Sequence, residues 1–329
     1  MLTIRQEKIL ELIVKEYVKD ATPVSSKHIC ENLNCSSATI RNEMSVLEDY
    51  GFLEKTHISS GRVPSEKGYR YYVDNLMQPK QMNGEDLLKL QIVFNNKSLE
   101  INDCIRKSLE IVSEITNYTS VVLGNKASDN YLKKVEAISI SDSQMLAIVV
   151  TDKGHVSHKN IAIDKVTPEE IGKMVELINK LLVGALISEI NAKLEYEIKP
   201  IIGQYVKQYD AVYNAFYDVF NDFTSTNISV SGRHNILKQP EFNTIPKVKK
   251  IFDKLDSKEA LESIEEDNGN INIYIGKESK LDDDITVIKT KYNTGKEEGT
   301  LAIIGPKRME YERVVNMLFY IKEQLENKE

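Results

Sequence analysis

Arg41 and Asn42 stand side by side in the stretch SSATIRNEMSVLEDYG, Ser36 to Gly51. A guanidinium can donate a two-pronged pair of hydrogen bonds to guanine, and a carboxamide can pair likewise with adenine. Thr39 and Ser45 add hydroxyls beside them. The chemistry open to this set is the reading of base edges in a DNA groove. It requires all four side chains to lie on one side of a helix. Ile40, Met44 and Leu47 recur at spacings of four and three, which gives a helix with one buried stripe. Thr39, Arg41, Asn42 and Ser45 are left on or beside the opposite face. That face has few acids in its first two turns, where a merely solvated helix would carry Glu–Lys pairs. Ser36 and Ser37 are good N-cap residues, and Gly51 is a suitable C-terminal stop.

The flanking stretches would position this helix. PVSSKHICENL reads as a shorter helix capped by Ser25 or Ser26, with Ile29 and Leu33 inward. The link Asn34-Cys35-Ser36 has the length of a helix-turn-helix joint. Next, FLEKTHI reads as a strand, SSGR as a glycine-tipped turn, and YRYYV as a second strand or a short helix. Together these describe a winged helix-turn-helix whose second helix enters the major groove. The wing, Ser59 to Arg62, would follow the backbone or minor groove. The plainer alternative is a small helical domain that holds partners together. Residues 2–20 form a first helix with Ile9, Ile13 and Tyr17 on one stripe, and Ala21-Thr22-Pro23 stops it.

The 329 residues are enough for two or three domains at about 150 each. No apolar run approaches the roughly 20 residues that a membrane span needs. The first residues carry acids inside their apolar pattern and do not form a secretory signal. Three cysteines suggest no disulfide framework and fit a reducing cytoplasm. Net charge is −7, which argues against a general nucleic-acid coat protein. Residues 1–77 hold ten basic and eleven acidic side chains, so the DNA-reading part is near neutral. From Lys55 to Tyr72, however, there are four basic residues and one acid. Affinity from phosphate neutralisation should be modest and salt-sensitive. Two copies on a symmetric site would then be needed.

Beyond residue 77 the pattern changes. A linker at 78–84 is marked by proline, glycine and polar residues without a period. Residues 85–116 read as one long helix or two consecutive ones. TSVVLG, KKVEAISIS, QMLAIVVTD and HVSHKNIAI are four strand candidates, with a hairpin turn at Asp152-Lys153-Gly154. Thr167-Pro168-Glu169-Glu170 opens a further helix. Residues 189–268 are helical and aromatic, with Tyr205, Tyr209, Tyr213, Phe216, Tyr217, Phe220 and Phe223 closely spaced. This stripe reads as plain core or as a self-association face, since aromatics dominate buried interface centres, and both can hold because a dimer interface can continue a core. Strands return at INIYIG, DITVIKTKY and TLAIIG, and a last helix spans about Arg308 to Glu326. The expectation is an α+β multidomain chain. Residues 85–188 and 269–329 would form one α+β domain, and 189–268 an insertion in it that holds a homodimer.

Other chemistries are set aside. There is no phosphate-binding or dinucleotide motif. His28, Cys30 and Cys35 lack a nearby fourth ligand, and the thiols read as small buried hydrophobes. His155 and His158 would fall on opposite strand faces. No nucleophile stands with its base, so neither an enzyme, a cofactor nor a metal is expected.

The sequence resembles the HrcA family of heat-inducible transcription repressors. The match rests on RQEKILELIVKEY, PVSSKHI, SSATIRNEMSVLEDYGFLEKTHISSGRVPSEKGYRYYVD, NILKQPEF and GPKRMEY. The resemblance implies that the α+β domain is GAF-like and that the insertion is a dimerisation domain. It implies repression of chaperone operons by a dimer on an inverted repeat of double-stranded DNA, release on heating, and support by the GroE chaperonin. It implies DNA contact at Ser36, Ser37, Thr39, Arg41, Asn42, Ser45, His57, Ser59, Ser60, Gly61 and Arg62. Ser65 and Lys307 depart from the family's more usual threonines. The alternative is an effector-sensing winged-helix regulator whose GAF-like domain binds a small molecule.

Overall fold

The computed structural model of the chain describes residues 2–33, 35–55, 61–78, 82–124, 130–141, 143–162, 167–202, 209–224, 228–264, 270–295 and 298–327. The chain divides into two compact units, residues 1–123 with 228–329, and residues 124–227.

The first unit starts with α1 (Ile4–Asp20). Thr3 and Gln6 close a capping box at its start, and Ala21 ends it in the left-handed region. Helices α2 (Ser26–Leu33) and α3 (Ser37–Asp49) follow. Gly51, at φ +76°, turns the chain out of α3. Strands β1 (Leu53–Lys55) and β2 (Arg62–Pro64) pair antiparallel, with Lys55 opposite Arg62. The returning strand is thus the short β2, and YRYYV falls in α4 (Glu66–Tyr71) and the π-turn that follows it to Leu76. Ser65 caps α4 through a hydroxyl that accepts from the Gly68 N–H at 3.0 Å. A threonine would do the same.

The rest of the unit begins with α5 (Gly84–Phe94) and α6 (Ile101–Thr116), two helices rather than one. Strand β3 (Thr119–Gly124) comes next.

The second unit then intervenes. Strands β4 (Leu132–Ser141), β5 (Gln144–Thr151) and β6 (Val156–Ala162) form an antiparallel three-stranded sheet. Gly154, at φ +83°, makes the tight turn between β5 and β6. Helices α7 (Pro168–Leu182), α8 (Ile187–Lys193), α9 (Lys199–Ile202) and α10 (Tyr209–Thr224) complete it. Val135, Met145, Ala147 and Val149 face Met174, Ile178, Phe216 and Phe220 in one apolar core.

The chain returns at β7 (Ile228–Ser231), α11 (Ile245–Asp256) and α12 (Lys258–Glu262). Strands β8 (Asn272–Ile275), β9 (Ile285–Asn293) and β10 (Glu298–Pro306) follow, and α13 (Tyr311–Glu326) ends the fold. The five-stranded sheet runs β7-β3-β10-β9-β8.

The expected insertion at 189–268 is therefore corrected to 124–227. Strand partners decide the matter. β4 to β6 pair with one another, whereas β7 pairs antiparallel with β3, from Ser120 opposite Ser231 to Leu123 opposite Ile228. Asn235 ties the returning chain down by donating to the Ser113 and Tyr118 carbonyls at 3.0 and 3.1 Å. Strand period is purely local and carries no trace of such long-range partners.

Lys307 also finds a place. Its ammonium lies 3.4 Å from an Asp284 carboxylate oxygen. Burial would raise the Asp284 pKa, but Lys247 and Lys307 together hold it below the usual value.

Candidate nucleic-acid interface

The buried stripe of α3 is Ile40, Met44 and Leu47, as the spacing demands. Arg41, Asn42 and Ser45 are exposed on the other side. Ser36 is the N-cap, accepting from the Thr39 N–H at 3.1 Å, and its hydroxyl lies 2.9 Å from that of Thr39. Ser36 and Thr39 are thus engaged in starting the helix.

Arg41 is braced from behind. The buried Ser26 of α2 has its hydroxyl 3.0 Å from that of Ser37 and 3.3 Å from Arg41 Nε, which donates to it. Such a bracket holds the stem of Arg41 while its two terminal nitrogens have no partner among the described residues. Asn42 makes no side-chain hydrogen bond among the described residues either.

Two acids of α3, passed over in the sequence reading, set its orientation. Glu43 accepts from Gln6 Nε2 at 3.0 Å and lies 3.5 Å from Arg5, both on α1. Glu48 accepts from Arg62 Nε at 2.7 Å. Each pair removes a negative charge that would repel DNA, and each resists rotation of α3 about its axis. The available signal was two carboxylates on a helix without lysine partners of its own.

The root of the wing is stitched to the loop before α2. The Arg62 and Val24 backbones exchange N–H···O bonds, both at 2.9 Å. A Cβ on Gly61 would lie 2.8 Å from the Pro23 carbonyl, so only glycine fits. His57, Ser59 and Ser60, expected at the wing, lie outside the described residues. The Arg62 side chain is only 16% exposed and is turned towards Glu48. A neutralised guanidinium contributes little counterion release. Arg62→Ala is therefore expected to weaken binding to every duplex by about 1 kcal/mol through loss of a charge-assisted bond. The slope of log affinity on log salt should stay nearly constant, which titrations at several salt concentrations would check.

In the second unit, the aromatic stripe proves to be mostly core. Tyr213, Phe216 and Phe220, expected at a dimer interface, are buried in the core of this unit. Tyr217 is exposed at 36% and stacks on Tyr213, with ring centroids 6.1 Å apart. Tyr209 lies in α10, and Tyr205 lies outside the described residues. Exposed apolar side chains also stand on the outer face of the three-stranded sheet, interleaved with Glu136, His158 and Asn160. Ile138 opposes Leu146, Val156 opposes Val150, and Ile148 lies between them. Ile138 is 50% and Val156 60% exposed.

Cys30 and Cys35 are half-buried free thiols. Among the described residues no cluster of His, Cys, Asp and Glu could hold a metal, and no helix is long and apolar enough to cross a membrane.

Comparison with known proteins agrees with this geometry. Residues 1–74 match the family described as winged helix-turn-helix transcription repressor, HrcA DNA-binding. Residues 102–315 match the HrcA protein C-terminal domain. The chain is 37% identical to the heat-inducible transcription repressor HrcA of Bacillus pumilus (strain SAFR-032), over 99% of this chain and 98% of that one. It is 40% identical to the HrcA of Lysinibacillus sphaericus, over 98% and 96%. A crystal structure of a hypothetical protein shares the fold, with a TM-score of 0.68 at 23% identity over 99% of this chain and 98% of that one. With α3 braced in a winged-helix domain and near-complete alignment to such repressors, the chain belongs to the HrcA family of heat-inducible transcription repressors.

Proposed function

We propose that the chain works in the cytoplasm as a homodimer on an inverted repeat at chaperone operons, where it blocks transcription until heat releases it. The observation that carries the reading is α3, an exposed Arg41–Asn42–Ser45 face on a helix held by Glu43 and Glu48. Arg41 and Asn42 read base edges. Ser36, Ser37 and Thr39 hold the helix start beside the backbone, and the wing from His57 to Arg62 lies along the duplex. Two reading helices in successive major grooves would stand about 34–36 Å apart, or a multiple of that.

The five-stranded sheet with its helices serves as the GAF-like part. Residues 124–227 serve as the dimerisation part, through the outer sheet face around Ile138, Leu146, Ile148 and Val156. An apolar, solvent-facing sheet surface favours self-association. A chaperonin of the GroE type is the partner that supports the active form.

The test is fluorescence anisotropy with two duplexes, the host's own chaperone-operon promoter and a scrambled copy. The parent protein should prefer the promoter. Asn42→Ala should lower that preference by about 1–3 kcal/mol, or roughly tenfold to a hundredfold. Equal losses on both duplexes would remove base reading from Asn42.

A further inference from the structure

The winged helix is not a loosely tethered head. Its α1 and α4 share an apolar layer with α13 and the five-stranded sheet, in which Leu10, Val14, Tyr69 and Tyr72 meet Tyr311, Val314 and Ile275. Polar straps cross this junction. Arg308 donates to the Val18 carbonyl at 2.8 Å while paired with Glu241 at 2.7 Å. Arg70 donates to the Ile273 carbonyl at 2.9 Å. The Tyr72 hydroxyl donates to Glu312 at 2.8 Å.

The same junction is flanked by pockets that open to solvent. A solvent-open pocket of about 270 Å³ is lined by Val14, Val18, Tyr72, Met82, Tyr311 and Asn316. A groove of about 580 Å³ lies beside it, along Lys19, Tyr118, Gln239 and Arg308. Tyr69 is 2% exposed, its ring centroid is 6.0 Å from that of Tyr311, and its hydroxyl has no hydrogen-bond partner among the described residues. A buried unpaired hydroxyl costs more than an isosteric apolar group.

We propose that this junction is the heat-labile element, opening before the head or the sheet unfolds, with Tyr69 as its built-in weak point. The proposal rests on the reading of the protein as a dimeric repressor. While the junction is closed, each head is held on α13 and the five-stranded sheet of its own unit. Once it opens, the chain around residues 77–83 is all that holds the head. The second head then binds at a much lower effective concentration, and affinity falls towards that of one near-neutral head. The head itself stays folded, so the release is reversible on cooling.

The test uses the full chain and the promoter duplex described above. Anisotropy is followed against temperature, with sedimentation and hydrogen exchange at the same temperatures. Tyr69→Phe removes only the hydroxyl. It should raise the midpoint of DNA release by about 2–4 °C. Arg308→Gln should lower it by a similar amount. Both should bind like the parent in the cold. At the release temperature the amides of β8 and the first turn of α13 should exchange faster, while those of α3 stay protected. A dimer whose release midpoint is identical in Tyr69→Phe and the parent overturns the proposal. So does loss of protection in α3 at the same temperature as in β8. A monomer without preference for the promoter, even in the cold, overturns instead the reading on which the proposal rests.

Discussion

Gly68→Ala is expected to destabilise the winged helix by about 3 kcal/mol or more, enough to leave it largely unfolded at growth temperature. Gly68 is buried in α4, and a Cβ there would lie 2.1 Å from the Phe52 carbonyl oxygen. The obstacle is backbone rather than a flexible side-chain end, so α4 would have to move as a whole. It cannot move freely. Ser65 holds its start through a 2.6 Å bond to the Gly51 carbonyl, and Arg70 holds its end to β8. Thermal melts followed by circular dichroism would measure the loss. Gly172→Ala is the control: it lies in α7 with nothing within 4 Å of the added carbon. There alanine should stabilise by up to about 1 kcal/mol through helix propensity. Equal melting temperatures for both variants would show that close packing at Gly68 is not limiting.

The second large effect is expected at the outer face of the three-stranded sheet. Ile138→Glu combined with Ile140→Glu places charge on two side chains that are 50% and 54% exposed. Neither belongs to the core of its unit, so the monomer should fold and melt as before. If this face joins two copies, the charged pair is desolvated on association and the dimer dissociates. Operator affinity should then fall by about a hundredfold or more, because the second half-site contact is no longer intramolecular. Sedimentation velocity and anisotropy on one sample would read both quantities. A variant that stays dimeric and binds normally would move the interface elsewhere.

The parts of this fold that were legible in the sequence are those set by local period and local chemistry. The stripe Ile40, Met44 and Leu47 implied α3 and its polar face, and Ser36 and Gly51 marked its ends. The hairpin at Gly154 and the helix start at Thr167 were visible for the same reason. What was not legible depended on partners far away in the chain. Strands β3 and β4 both read as strands from local pattern, yet one joins β7 and the other joins β5. Phe216 and Phe220 looked alike as core or as interface, because a helical stripe records that a face is covered and not by what. Arg62 looked like a phosphate contact because it is basic and next to a turn. Only the fold brings Glu48 to within 2.7 Å of it.

Arg70 has a further meaning. Strand β8 is four residues long and ends the five-stranded sheet. Such an end row offers bare amide groups on which a foreign strand can grow. The guanidinium that seats the head on the body also occupies the Ile273 carbonyl of that row. A chain with its head displaced therefore uncovers sticky backbone together with the apolar layer beneath it. If the junction opens as proposed, the posture that holds the head for DNA would also be the one that keeps this edge covered. Vacancy at the promoter and exposure to rescue by folding machinery would thus arise from a single movement.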